Sequence, residues 1–172
     1  MIAQLRKVEQ FAGRIEEAKL RALADPLTGL AGRRAGEAIL QHRLESGATV
    51  TLVDVALLDL KTWNEQGGSS LGDEILRAFS RLLVNQCSSY DLICRWAGST
   101  FLLLGREGDK QPPDRAALQQ NLSAPLALSA DATVPEVQVK VAVGVAQSLP
   151  DDNLASLIAR AETALRQGAA SG

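Results

Sequence analysis

The chain has little of what a metal centre, a disulfide scaffold or a charge-driven binder needs. Its two cysteines, Cys87 and Cys94, follow no metal-ligand spacing and no disulfide pattern, so both read as structural thiols of a reducing compartment. Its one histidine, His42, stands beside Arg43 and Glu45 with nothing near in sequence to orient it as a catalyst, and reads as a surface residue. No basic run is present, and a formal charge of −2 with a pI near 5.5 gives no electrostatic case for nucleic acid or an anionic membrane as partner. No stretch approaches the roughly 18–20 consecutive apolar residues of a membrane span. The opening Met-Ile-Ala-Gln-Leu-Arg-Lys-Val-Glu-Gln is too polar for a secretory signal. Internal repeats and low-complexity tracts are absent, and the expectation is a soluble, cytoplasmic chain.

What is present is ordinary globular composition, 46% hydrophobic and 22% charged over 172 residues, enough for one domain with an appendage. Residues 1–24 form the appendage, a helix whose apolar positions Leu5, Val8, Ala12 and Ile15 recur at three- and four-residue steps. That stripe fits either a short parallel coiled coil, giving a homodimer or a link to a neighbouring signalling domain, or a helix packed on its own domain. Whether the chain is a fragment of a longer protein is left open.

Residues 25–170 form the domain. Asp25-Pro26-Leu27-Thr28-Gly29-Leu30 ends the first helix, because Pro disfavours helical geometry in the residue before it. A helix is expected over 33–45, then a nearly continuous apolar strand over 48–60. Residues 61–71 read as a loop or irregular helix, and Gly72-Asp73 as the opening of a helix with the stripe Ile75, Leu76, Phe79, Leu82, Leu83. Leu92–Trp96 and Phe101–Leu104 flank Ala97-Gly98-Ser99-Thr100 as a β-hairpin flanks its turn. A surface loop over 105–115, a helix near 114–124, an alternating strand over 137–146 and a final helix over 154–166 complete the chain. Strands alternating with helices, plus one hairpin, imply an α/β fold with a mixed central sheet flanked by helices. Trp63 and Trp96 read as packing residues.

These motifs resemble the GGDEF domains, which as active enzymes are diguanylate cyclases making cyclic di-GMP from two GTP. The resemblance runs from about residue 22 to 168. It rests on the opening Asp25-Pro26-Leu27-Thr28-Gly29-Leu30 with Arg33-Arg34, on Leu60-Lys61-Thr62-Trp63-Asn64 followed by Gly72-Asp73-Glu74-Ile75-Leu76, on Asp91, Arg95 and Phe101 around the hairpin, and on Val141–Ala146. It implies a nucleotidyl cyclase-like, ferredoxin-like palm.

The signature itself is degenerate. Where the family carries Gly-Gly-Asp/Glu-Glu-Phe, this chain has Ala97-Gly98-Ser99-Thr100-Phe101. The family's Mg²⁺ is held by the first acidic residue of that motif and by an Asp on the earlier strand. These positions are Ser99 and Ala56 here, so no metal ligand and no catalytic residue is expected at Ala56, Ser99 or Thr100. Asp54 lies two residues before Ala56 on the same strand face, about 6.6 Å away at strand rise, and would need the strand to slip in order to substitute. Asn64 and Asp73 match the family's guanine-reading pair and Lys61 its phosphate-proximal Lys. The alternative is that Asp73 caps the helix it begins, Asn64 supports a turn and Lys61 is an exposed charge. The family's C-terminal phosphate Lys is Ala169 here, with Arg166 near the same region. Its inhibitory Arg-x-x-Asp is Ser88-Ser89-Tyr90-Asp91, which keeps the Asp and loses the Arg that would hold cyclic di-GMP.

The resemblance therefore implies a catalytically inactive GGDEF domain serving as a regulatory or protein-interaction module, with no cofactor expected. The alternative is a non-catalytic GTP sensor using Asn64, Asp73 and Lys61, with GTP and Mg²⁺ as its ligands. The third reading is a working cyclase.

Overall fold

The computed structural model describes residues 23–129 and 135–171, so the stripe of the N-terminal segment lies outside the described residues. The described elements run α1 (Arg33–Glu45), β1 (Thr51–Leu57), α2 (Leu60–Gln86), β2 (Leu92–Ala97), β3 (Thr100–Leu104), α3 (Arg115–Leu122), β4 (Leu126–Ala127), β5 (Glu136–Val137), β6 (Val141–Gln147) and α4 (Leu154–Ser171). The main sheet has the order β2-β3-β1-β6 with every ladder antiparallel, and a parallel contact enters only as the isolated Ala31–Cys94 bridge. With α2 and α3 as crossovers, this is the split βαβ arrangement of a ferredoxin-like palm.

Alternation along the strands sorts the core into two halves. On β1, Val53, Val55 and Leu57 face one way and pack with Ile75, Phe79 and Leu83 of α2 and Leu118 and Leu122 of α3. Leu52 faces the other way, with Leu102, Leu104 and Ala146, against Ala35 and Ile39 of α1 and Leu157 and Ala161 of α4. Phe79 meets Phe101 at a ring-centroid distance of 5.4 Å, joining α2 to the hairpin through the sheet's first face. On the second face α4 lies so close to β6 that a Cβ on Gly144 would sit 2.2 Å from the backbone N of Leu165. Only glycine fits there.

Three elements differ from the sequence expectation. α2 starts at Leu60, not at Gly72, and the polar segment is helical with a single break at Gly68, whose φ of 77° is open to glycine without strain. β1 is shorter than the apolar run, since Leu60 already belongs to α2 and Val50 donates its N–H to the Ser148 hydroxyl at 2.8 Å. The alternating run from Val137 to Ala146 splits: Val137 pairs with Leu126 in a separate two-stranded ribbon, while β6 begins at Val141. The last helix begins at a reciprocal cap, with Asn153 Oδ1 accepting from Ser156 N at 2.8 Å and Ser156 Oγ accepting from Asn153 N at 3.0 Å. No described helix is long and apolar enough to cross a membrane.

Candidate functional site

The hairpin is held at its tip by backbone and side-chain contacts that the sequence spacing implied only as family positions. Arg95 pairs with Phe101 and Ala97 with Thr100, leaving Trp96 as the extra residue of a bulge that closes on Gly98-Ser99. The Arg95 guanidinium donates to the Gly98 carbonyl from Nε at 3.0 Å and Nη2 at 2.8 Å, and from Nη1 to the Asp25 carboxylate at 3.2 Å. Asp25 in turn accepts from Thr28 Oγ1 at 2.7 Å and Thr28 N at 2.9 Å. Burial pushes the Asp25 carboxyl up, but the Thr28 and Arg95 hydrogen bonds outweigh it and hold the group below the usual range. Asp25, Thr28 and Arg95 thus tie the opening turn to the hairpin tip.

Beneath the tip, Ala56 of β1 stands directly opposite Thr100 of β3. Both line a cavity of about 310 Å³ on the α1/α4 side of the sheet, with Arg33, Asp54, Trp96, Ala97, Glu162, Leu165 and Arg166 around them. Ser99 is not among its lining residues. The Ala56 methyl supplies no oxygen and the Ser99 hydroxyl only a neutral one, so the residues present at the family's metal positions do not fit Mg²⁺, which selects charged oxygen ligands. Among the described residues no group of three or more His, Cys, Asp or Glu side chains is placed to hold a metal ion.

Asp54 lines the same cavity from its own place in the strand, opposite Leu102 and on the face of Ala56, as the strand alternation implied. It is 2% exposed, its Oδ1 has no hydrogen-bond partner among the described residues, and burial, reinforced by the charge of Glu162, pushes its carboxyl up to about 7. As the single charge inside the apolar run of β1, Asp54 was visible in the sequence. Glu162 on the distant α4 was not linked to it by any local pattern. Arg166 does reach the cavity wall, while Ala169 is half-buried and is not among the lining residues.

The residues at the family's guanine-reading positions, Asn64 and Asp73, lie elsewhere. The break at Gly68 brings the Asn64 side chain against Gly72, where a Cβ would sit 1.9 Å from Asn64 Oδ1. That Oδ1 is buried without a hydrogen-bond partner, and Asp73 is the next residue along. Asp73 is half-buried inside α2, well past the break at Gly68, so it does not begin a helix. The capping alternative is therefore corrected. Lys61 is exposed, and none of Lys61, Asn64 and Asp73 lines the cavity of Ala56 and Thr100. Trp63 is half-buried and donates to Asp59 Oδ2 at 3.2 Å, whereas Trp96 is buried under the Arg33 guanidinium at 4.5 Å.

At the family's inhibitory-site positions, Ser88 is exposed and Asp91 is committed to the fold. Its Oδ2 accepts from Arg43 Nη2 of α1 and from Glu107 N at 2.9 Å, while Arg43 Nη1 donates to the Gly105 carbonyl at 3.1 Å. The sequence offered no sign that Arg43, which is 2% exposed, was the partner. Both thiols are buried and unbridged: burial pushes Cys87 up to about 11 and Cys94 up to about 12, and Cys94 donates to the Gly32 carbonyl at 3.1 Å. His42 is exposed at the end of α1.

Comparisons with known proteins agree with this architecture. The sequence profile described as "Diguanylate cyclase, GGDEF domain" matches residues 22–172. The diguanylate cyclase DgcZ of Escherichia coli is 27% identical over 158 residues, which cover 89% of this chain and 52% of DgcZ. Among solved structures, the diguanylate cyclase SiaD of Pseudomonas aeruginosa, crystallised with its activator SiaC, superposes with a TM-score of 0.74 at 26% identity, covering 90% of this chain and 61% of SiaD. The GGDEF domain of DgcB from Caulobacter crescentus, in complex with c-di-GMP, superposes with a TM-score of 0.70 at 21% identity, covering 93% and 92%, and shows the shared fold. The chain thus spans about half the length of DgcZ. With a profile match over nearly all of its length and a hairpin, palm and opening turn in the family's arrangement, the chain belongs to the GGDEF domain family.

Proposed function

We propose that this GGDEF domain is catalytically silent and acts as a regulatory or protein-interaction module in cyclic di-GMP-type signalling. One observation carries the reading: Ala56 and Ser99 stand at the two positions where metal-binding carboxylates would have to converge, with the Leu57 N–H donating to the Ser99 carbonyl at 2.9 Å beside them. Phosphoryl transfer between two nucleotides needs metal to neutralise the triphosphate and to activate the attacking hydroxyl. One neutral oxygen supplies neither. Regulation by product at the old inhibitory site is also unsupported, since Ser88 replaces the Arg and the Asp91 carboxylate is occupied by Arg43. The activator-bound state of SiaD supports the idea that domains of this fold dock other proteins. Residues 1–24 are the proposed assembly element, as a homodimer or as a link to a neighbouring domain. Expression in a bacterial host stripped of its own cyclases tests the reading. Unchanged, undetectable cyclic di-GMP is expected, and accumulation would overturn it.

A second reading is favoured by a separate observation. Asn64 Oδ1, buried, unpartnered and accommodated only because residue 72 is glycine, sits beside Asp73 as an acceptor pair of the kind that reads the donor edge of guanine. On this reading the domain binds GTP without turnover. GTP titration followed by tryptophan fluorescence tests it: saturable binding lost in Asn64→Ala supports a sensor, and no signal removes it.

A further inference from the structure

A cavity that neither reading uses lies on the α2 side of the sheet, between α2 and the opening turn. We propose that it binds a small organic anion with an apolar body, the charge held by Arg77 and Arg81.

The cavity measures about 340 Å³, a size that small-ligand sites commonly have. Leu27 and Leu30 of the opening turn and Val84 of α2 supply its apolar lining, and Arg77 and Arg81 its charge. The two arginines stand four residues apart on one helix, so they are neighbours on one face and their like charges oppose each other. Neither forms a hydrogen bond or an ion pair among the described residues. Glu74, one turn before Arg77, accepts instead from the Ser129 hydroxyl at 3.1 Å. The hydroxyls of the wall are committed within the fold. Thr28 Oγ1 donates to Asp25 Oδ2 at 2.7 Å and Ser80 Oγ to the Leu76 carbonyl at 2.7 Å. The wall is thus preformed, which lowers the ordering cost of binding, and the two guanidinium groups are left to meet a charge. An inorganic anion would engage the arginines and leave the apolar lining wet, and a neutral apolar molecule would do the reverse. An aryl or branched alkyl carboxylate or sulfonate uses both, through apolar burial and charge-assisted hydrogen bonds. The inference goes beyond the silent-module reading and does not rest on it, since none of Ala56, Ser99, Asn64 and Asp73 lines this cavity.

The test titrates the full chain, without nucleotide or metal, with anilinonaphthalene sulfonate, and uses phenylnaphthylamine, the same skeleton without the sulfonate, as the neutral control. Fluorescence should saturate at a single site. Affinity should fall at least about tenfold when Arg77→Gln and Arg81→Gln are combined, and the neutral control should bind the wild-type chain at least about tenfold more weakly. Both arginines are exposed, so the fold is kept, as circular dichroism would show. Arg106→Gln, an exposed cation that lines a different cavity, should leave the affinity unchanged. Inorganic phosphate at matched ionic strength should not displace the probe. Absence of saturable binding to the wild-type chain, binding that survives the double substitution, equal binding of the neutral control, or displacement by phosphate overturns the proposal. With no GTP present, each result is independent of whether the domain turns over nucleotide.

Discussion

Asp54 shows how one residue sets a stability profile. A carboxyl near 7 in the fold and near 3.8 in the unfolded chain holds an extra proton in the native state between those values. Its contribution is therefore complete below the unfolded value and is lost as pH rises through the native one. Stability should fall by roughly 2–3 kcal/mol between about pH 5 and pH 8, and Asp54→Asn should flatten the profile and gain stability at the alkaline end. Urea unfolding at the two pH values checks both. Asp91 is the converse case, a family ligand residue turned structural. Removing it takes the carboxylate partner from the buried Arg43 guanidinium, which keeps its bond to the Gly105 carbonyl, so Asp91→Ala should cost about 3 kcal/mol of unfolding free energy, read by denaturant titration. The sequence announced Asp91 as a site residue because the motif names it. Its partner is 48 positions away in sequence, a distance no local pattern spans.

Among the elements, α2 is where sequence and structure diverge most usefully. Lys61–Ser70 is polar and contains two adjacent glycines, which reads as a loop, yet only Gly68 leaves helical geometry. Helical turns on either side of that break press Asn64 onto Gly72 and carry Asp73 alongside. Gly72→Ala would place a methyl 1.9 Å from Asn64 Oδ1 and expel the side chain. GTP binding on the sensor reading should then disappear with little loss of fold, checked by fluorescence titration alongside circular dichroism. The broken strand has an equally physical cause. β6 pairs with β1 only as far as Leu57, and Leu58 and Asp59 then hold Lys140 by N–H···O bonds of 2.8 and 3.0 Å, turning the preceding residues away to β4. Alternation alone cannot mark where a partner strand ends. The hairpin, by contrast, was legible to within a residue, because its apolar runs and its glycine turn agree.

For the whole molecule, the palm was legible because independent motifs stood in the right order, and because the odd and even positions of β1 and β3 sort cleanly onto the two helical layers. Phe79→Ala, at the contact between α2 and the hairpin, should cost about 3–5 kcal/mol and lower the thermal midpoint without changing the assembly state, as calorimetry with light scattering would show. The site was half legible. The sequence showed which carboxylates were missing, but only the fold showed that Asp54 and Glu162 line one cavity below them, where α4 is seated closely on Gly144. The central claim is that a well-formed palm without metal carboxylates at Ala56 and Ser99 does not make cyclic di-GMP. The most direct measurement is chromatography of the products formed by the purified chain from GTP with Mg²⁺ or Mn²⁺. The account predicts unreacted GTP and no cyclic di-GMP above the protein-free control, and product that accumulates in proportion to protein would contradict it.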